Sequence, residues 1–244
     1  MKHSHFVVIC LFCCSGLFAK AEEKSTVTEQ IGRNATLLKS QDMNTRRKAI
    51  DEMFSMSSKV SLMSADSSVA GDLTDYAQKW DENSYKAVLL LGRMGAAQSK
   101  TMLKSILEES RGIVGPMDDR YVLAPQMQLA CLKALLRLKD DEAEKEVLSL
   151  LGSNEVESRV KGIECISYAD DKKLIPKLVP LLDDKRDAVN VAPSGASYFI
   201  RVCDLAANAI TDVGQMKLSF DVQYGTRYSD EQLGELRRAS LQLK

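Results

Sequence analysis

Histidine is almost missing from this 244-residue chain: there are two, His3 and His5, both within the first five residues. If that leading stretch is removed, the remaining protein cannot build a Ser-His-Asp or Cys-His site, a histidine-ligated zinc site or an imidazole switch near neutral pH. Aromatic residues are scarce at 6%, with one tryptophan, and neither sign of charge dominates, with 33 Lys+Arg against 34 Asp+Glu. That balance excludes a basic nucleic-acid binder and an acidic disordered tail. No Walker or dinucleotide fingerprint is present, and Gly92–Gly95 and Gly112–Pro116 are too short and wrongly placed to cradle phosphate. Long apolar runs are also lacking. The one candidate, Phe6 to Phe18, is 13 residues long, whereas crossing a bilayer takes about 20 helical residues.

The apolar run lies between a short polar start and Ala19-Lys20-Ala21, the small-x-small pattern that signal peptidase cleaves. The expectation is a signal peptide over 1–21 cleaved after Ala21, and an exported mature protein in a periplasmic or extracellular setting. An uncleaved anchor and a lipoprotein acylated at Cys14 are the alternatives. Cleavage removes Lys2 and Lys20 and no acid, leaving a net charge of -3, too small to steer a partner.

Three cysteines remain, Cys131, Cys165 and Cys203, each inside an Ala-rich helical stretch and without the paired spacing that metal sites use. They read as core residues and free thiols. Four acidic pairs, Asp118-Asp119, Asp140-Asp141, Asp170-Asp171 and Asp183-Asp184, fall at helix ends, where short acids cap free N–H groups. Asn34-Ala35-Thr36 forms a glycosylation sequon in a eukaryotic secretory pathway. Trp80 and Tyr85 read as packing residues near a helix–helix turn.

What is present is a repeat. Met127, Ala130, Cys131, Ala134, Leu135 and Leu138 follow the spacing i, i+3, i+4, i+7, i+8, i+11, and Val202, Leu205, Ala206, Ala209, Ile210 and Val213 repeat it. This is a wide apolar helical stripe whose small central residues let another helix approach. Partial copies start at Thr45, Asn83 and Val160, and partner helices are predicted over 26–40, 72–81, 97–110, 142–151 and 172–182. The fold class expected is all-α, about five helix pairs in an α-solenoid over 22–214, followed by a C-terminal extension over 215–244. In the extension, residues 219–224 are ambiguous between strand and loop. Its final helix starts at Ser229 with a capping box completed by Gln232.

The segments LIPKLVPLLDD (174–184), VCDLAANAITDVG (202–214) and LLLGRMG (89–95) resemble HEAT-type repeats. The resemblance spans roughly 26–214 and departs from the pattern at Glu164 and Ser167, which occupy stripe slots. It implies a scaffold or adaptor. Some bacterial relatives with similar repeats act on bilin chromophores, which makes a lyase-like enzyme the alternative. Tetratricopeptide and ankyrin arrays have similar periods but expect residues this chain lacks.

The expected function is therefore a non-catalytic protein-interaction scaffold without cofactor or metal, without nucleic acid and without a transmembrane span. Two surfaces are candidates. Second helices sum to a charge of +6 and first helices to -5, so Arg93, Lys133, Arg137, Arg159, Lys161 and Arg201 are expected to line a groove for a protein partner with an acidic segment. Two insertions, 110–121 and 185–197, fall between a first helix and its second, and bring Asp118, Arg120, Tyr121, Arg186 and Tyr198 toward one rim.

Overall fold

A computed structural model describes residues 27–57, 67–191 and 198–242; the expected signal peptide over 1–21, with its expected cleavage position and Cys14, lies outside the described residues. The described chain is mostly helical with little strand. It divides into two units, 1–99 and 100–244, each with its own core.

In the first unit, α1 spans 27–37, α2 Met43–Ser57, α3 Ser67–Ala77 and α4 Ser84–Arg93. Helix α2 starts because Asp42 accepts from the amide of Thr45 at 2.9 Å. Helix α4 packs against both α3 and α2. Their shared core holds Ile50, Met53, Leu73, Tyr76, Leu90 and Leu91, all at most 1% exposed. Helix α3 begins and ends about four or five residues earlier than its stripe suggests. A turn carries Trp80 in the left-handed region (φ 55°), and buried Ser84 donates to the Tyr76 carbonyl at 3.1 Å, closing the end of α3. Gly95 (φ 67°) ends the segment after α4, a conformation in which glycine has no Cβ penalty.

In the second unit, α5 (Lys100–Gly112) packs on α6 (Ala124–Arg137), and α7 (Asp141–Gly152) packs on α8 (Val156–Ala169). Asp140 caps α7 through the Ala143 amide at 3.2 Å. Asp170, expected to cap the following helix, instead ends α8 in the left-handed region (φ 55°), and Asp171 caps the 3-10 turn that begins at Lys172. The helix predicted over 172–182 is broken into that turn, the short α9 (Ile175–Leu178) and a second 3-10 stretch (Val179–Asp183). Pro176 and Pro180 have no N–H to donate, so each sits at the start of a new segment rather than inside a continuous helix.

A second correction concerns the insertion after Asp184. Part of it is a ribbon: β1 (Asp187–Asn190) pairs antiparallel with β2 (Phe199–Arg201), with an irregularity between Asp187 and Val189. The following helix, α10 (Val202–Gly214), therefore begins at the first residue of its apolar stripe, directly after the ribbon. Gly214 is helical, and Gln215 takes the left-handed position (φ 52°). Residues 219–224 contain no strand. Helix α11 (Asp230–Ser240) starts with the expected box, in which Ser229 and Gln232 exchange backbone and side-chain hydrogen bonds.

The second helices α6, α8 and α10 lie side by side in sequence order, while α11 rests on α10 and the 179–183 stretch. Close approach of α7 and α8 depends on Gly162, where an added Cβ would lie 2.7 Å from Leu151 Cδ2 and 3.2 Å from the Leu151 amide nitrogen. At the C-terminal end, fully buried Asp204 accepts from the Arg201 guanidinium at 2.8 and 2.9 Å, and from the amides of Arg201 and Tyr228 at 3.0 Å. The Tyr228 hydroxyl bonds Asn208 Oδ1 at 2.7 Å. This network fastens the ribbon, α10 and the extension to one another.

All three cysteines are buried and unbonded to one another. Burial pushes the thiols of Cys131 and Cys165 up to about 12 and raises that of Cys203. A thiol in this state is protonated and shielded. Native protein at pH 7 is therefore expected to leave these three thiols unmodified by a thiol-reactive dye over hours, and urea-unfolded, non-reduced protein to expose all three. Rapid native labelling at any of them would contradict the packing.

Candidate interaction surface

The six cations assigned to a groove are all engaged within their own units. Arg93 donates to Ser57 Oγ at 2.6 Å and lies over the Phe54 ring. Lys133 pairs with Glu164 at 2.6 Å, which accounts for an acid in a stripe slot: Glu164 faces the neighbouring helix as a counter-ion. Arg137 donates to the Tyr168 and Ala169 carbonyls at 2.9 and 3.3 Å, satisfying the free C-terminal end of α8. Arg159 bonds the Ser153 carbonyl and Asp184, and Arg201 bonds Asp204 and the Tyr228 carbonyl. Lys161 pairs with Glu157 of its own helix and is 42% exposed.

Several of the long-range ion pairs have similar spans. Arg46–Asp81, Arg47–Glu82 and Lys86–Asp51 span 35 residues, as does Arg111–Glu146. Lys133–Glu164 and Lys139–Asp171 span 31 and 32, and Lys104–Glu142 spans 38. These contacts tie α2 to α4 and the turn before it, α5 to α7, and α6 and the turn after it to α8 and the turn after that. Of the six cations named above, Lys133 belongs to these pairs; Arg93 and Arg137 bond a hydroxyl and carbonyls, and Arg159, Lys161 and Arg201 pair with carboxylates at shorter separations.

Asp184 joins α8 to the segment leading into the ribbon, with its side chain 7% exposed between Arg159 and Arg186. The Arg186 guanidinium holds its carboxyl down to about 2 against the opposing effect of burial, helped by the Arg186 amide and Arg159. An unfolded aspartate titrates near 3.9, so the folded state holds this proton more weakly. The resulting stabilisation, about 2 kcal/mol, is complete well above pH 4 and is lost as pH falls through 2. Urea titrations between pH 5 and 2 should show this loss, with a shallower slope in Asp184→Asn. An unchanged slope in that variant would mean Asp184 does not carry it.

The insertions form the other surface. In the 113–123 loop, Arg120 clamps Asp118 at 2.9 and 3.0 Å, pairs with Glu109 and donates its own amide to Asp118 at 2.8 Å. Backbone bonds from Tyr121 to Asp118 and from Leu123 to Arg120 close the turn. On this fastened loop, Val114, Met117 and Val122 are 90%, 98% and 81% exposed, with Tyr121 beside them at 46%. In the ribbon, Arg186 bonds Asp184 and the Asn154 carbonyl, and Tyr198 lies under the Arg227 guanidinium, which also pairs with Asp187. Val189, Val191 and Tyr198 are exposed there.

Seven of the eleven exposed large hydrophobic residues among the described residues are therefore on these two insertions. Both precede a second helix, and β1 also touches α8, so both lie on the edge formed by the N-terminal ends of α6, α8 and α10. Of the residues that the sequence points to here, Asp118, Arg120, Tyr121, Arg186 and Tyr198, several shape the segments. The exposed aliphatics are the members that sequence reasoning misses, although the non-periodic apolar pairs Ile113-Val114 and Tyr121-Val122 are a signal that could have found them.

Chemistry is sparse elsewhere. An open groove of about 520 Å³ between α1 and α2 is lined by Gln30, Arg33, Asn34, Leu37, Glu52, Ser55 and Met56. Asn34 is buried and donates to Glu52 at 3.2 Å, so the sequon amide is engaged inside a helix. Among the described residues, no group of three or more His, Cys, Asp or Glu side chains could hold a metal ion, and no helix is long and apolar enough to cross a membrane. No family model matches the chain, and no curated protein matches it significantly.

Proposed function

We infer that the protein is an exported, non-catalytic scaffold of HEAT-type helix pairs arranged as an α-solenoid, and that it binds another protein through the edge carrying the 113–123 loop and the 187–201 ribbon. The observation that carries this reading is the exposure of Val114, Met117 and Val122 on a loop fixed by Arg120. Fully burying an aliphatic side chain is worth about 1.5–3 kcal/mol, so a rigid loop that leaves three in water gains its stability on contact with a partner. The second-helix cations are weaker candidates, because recruiting Arg137 or Arg159 would break a helix end or a joint. The leader pattern and the repeat pattern support the compartment and the array.

The test compares affinity capture from the native source by wild-type protein and by a Val114→Ser/Met117→Ser/Val122→Ser variant, at ordinary and high salt. A specific partner retained at high salt and lost with the variant is expected. Partner capture that ignores the variant but disappears with Lys133→Glu/Arg137→Glu would replace the edge with the basic face.

A further inference from the structure

The exposed loop is set in a surface with more carboxylates than cations, and the ion pairs leave that excess in place. On α5, Lys104, Glu108 and Arg111 follow i, i+4, i+7 spacing and share the face turned to α7. Lys104 lies between Asp140 and Glu142, at 3.0 and 2.6 Å. Arg111 lies between Glu108 and Glu146. Arg120, which fixes the loop, lies between Asp118 and Glu109. Three cations therefore meet six carboxylates, and exposed Asp119 adds a seventh. The same sign holds over the whole surface, since residues 100–123 and 140–152 together carry nine carboxylates and five cations.

The negative groups are also the outer ones. Glu142, Glu108 and Glu109 side chains are 78%, 69% and 46% exposed, against 39%, 37% and 35% for Lys104, Arg111 and Arg120. From Lys104 to Arg111 the acidic strip runs about 10 Å along α5 and ends where the loop begins. The acids and the apolar side chains of Val114, Met117 and Val122 are thus consecutive parts of one surface. Within the strip, Leu107, Leu135 and Ala143 help line a cleft of about 140 Å³. Pockets for small-molecule ligands start near 300 Å³, so this cleft has room for a side chain rather than a cofactor.

These features discriminate between occupants. An anionic membrane attracts basic segments, and nucleic acid needs cations for its phosphates; this surface offers neither. A polypeptide that carries both aliphatic side chains and lysine or arginine matches both halves of it, and opposite charge across an interface chiefly sets partner choice and association rate. We propose that the partner segment recognised at the 113–122 loop is cationic and aliphatic, with its apolar side chains on Val114, Met117 and Val122 and its basic groups along Glu108, Glu109 and Glu142. The sign is the reverse of the acidic partner expected from the second-helix cations. The proposal rests on the edge being the binding surface and names the chemistry of what it binds.

The test is selection of a random peptide library on the mature full chain at ordinary salt. Affinities of the leading peptide are then measured for wild type, Val114→Ser/Met117→Ser/Val122→Ser and Glu108→Gln/Glu142→Gln. Far-ultraviolet circular dichroism and melting should be unchanged in both variants, since the replaced side chains are outside the core. Selected peptides are expected to combine aliphatic residues with a net positive charge. Affinity should fall roughly tenfold or more with the serine variant and about three- to tenfold with the glutamine variant, which should also flatten its salt dependence. Selected peptides without net positive charge, an affinity indifferent to the glutamine variant, or no selected peptide that depends on the loop would overturn the proposal. Loop-dependent binding to phosphatidylglycerol vesicles, with no peptide selected, would overturn it in favour of lipid. Capture from the native source separates it from the edge reading. Capture that needs Val114, Met117 and Val122 but is unchanged by Glu108→Gln/Glu142→Gln would remove the cationic partner and leave the edge standing; capture indifferent to both variants would remove both.

Discussion

Asp204→Ala is expected to lower the unfolding free energy by about 3–5 kcal/mol, the range for removing one member of a buried, hydrogen-bonded charge pair. The carboxylate is 0% exposed and collects the Arg201 side chain together with two amides. Alanine would leave the Arg201 guanidinium with the Tyr228 carbonyl as its remaining partner and two buried N–H groups without an acceptor. Burial alone would raise the Asp204 carboxyl, yet the Arg201 hydrogen bonds and the Tyr228 amide hold it below the ordinary range, so the native structure favours the ionised form. Asp204→Asn separates charge from shape, because the amide keeps the volume but offers one acceptor oxygen in place of two. Urea unfolding should rank wild type above Asp204→Asn above Asp204→Ala. A loss below about 1 kcal/mol for alanine would show that the ribbon, α10 and the extension hold together without this network.

The second large effect involves a pair of glycines with opposite expected signs. Both are inside helices, where replacing glycine by alanine ordinarily gains up to about 1 kcal/mol. Gly71 in α3 has nothing within 4 Å of an added Cβ, so Gly71→Ala is expected to stabilise by that amount. At Gly162 the new carbon would meet Leu151 Cγ at 2.9 Å and its amide nitrogen at 3.2 Å. A leucine tip can swing aside, but the backbone of α7 cannot yield without moving the helix. Overpacking costs about 1–3 kcal/mol, so Gly162→Ala should be neutral to destabilising. Gly162→Val adds two further carbons and should cost about 3 kcal/mol or more. Equal stabilisation by alanine at both positions would mean that α7 and α8 are not in close contact.

The helices are legible in the sequence because their stripes are long. The α6 and α10 patterns, in which every slot is Ala, Cys or a larger aliphatic, place Cys131, Ala134, Ala206 and Ile210 at the core with no exposure, while the slot Leu205 is half-buried. The broken 172–183 stretch is less legible, since Leu174, Leu178 and Leu182 keep helical spacing while Pro176 and Pro180 interrupt the hydrogen bonds beneath it. The ribbon is hidden for a different reason. Phe199-Ile200-Arg201 continues the apolar pattern of α10 backward, and its pairing with 187–190 depends on residues about ten positions away.

The charged face shows where reading by layers stops. Counting second-helix cations gives +6 over the predicted spans, while the observed helices hold nine basic and six acidic residues, and neither count locates counter-ions. Glu164, Asp184 and Asp204 are within or beside the same layer, and the Tyr168 and Ala169 carbonyls carry no formal charge at all. An ion pair that spans 31 to 38 residues becomes visible in sequence only when the packing of the helices is known, and the starts here are unevenly spaced. The apolar edge escapes for the opposite reason: aliphatic residues in an insertion look like core until their exposure is seen.

The central claim is that contact with a partner occurs at the loop-and-ribbon edge rather than on the second-helix face. Site-specific photo-crosslinking in the native source tests it most directly, with one photoreactive side chain at Met117, which is 98% exposed, and another at Lys161, a second-helix cation that is 42% exposed and pairs within its own helix. A discrete covalent adduct from position 117, with none from position 161, is the expected result. An adduct from position 161 with position 117 silent would contradict the account.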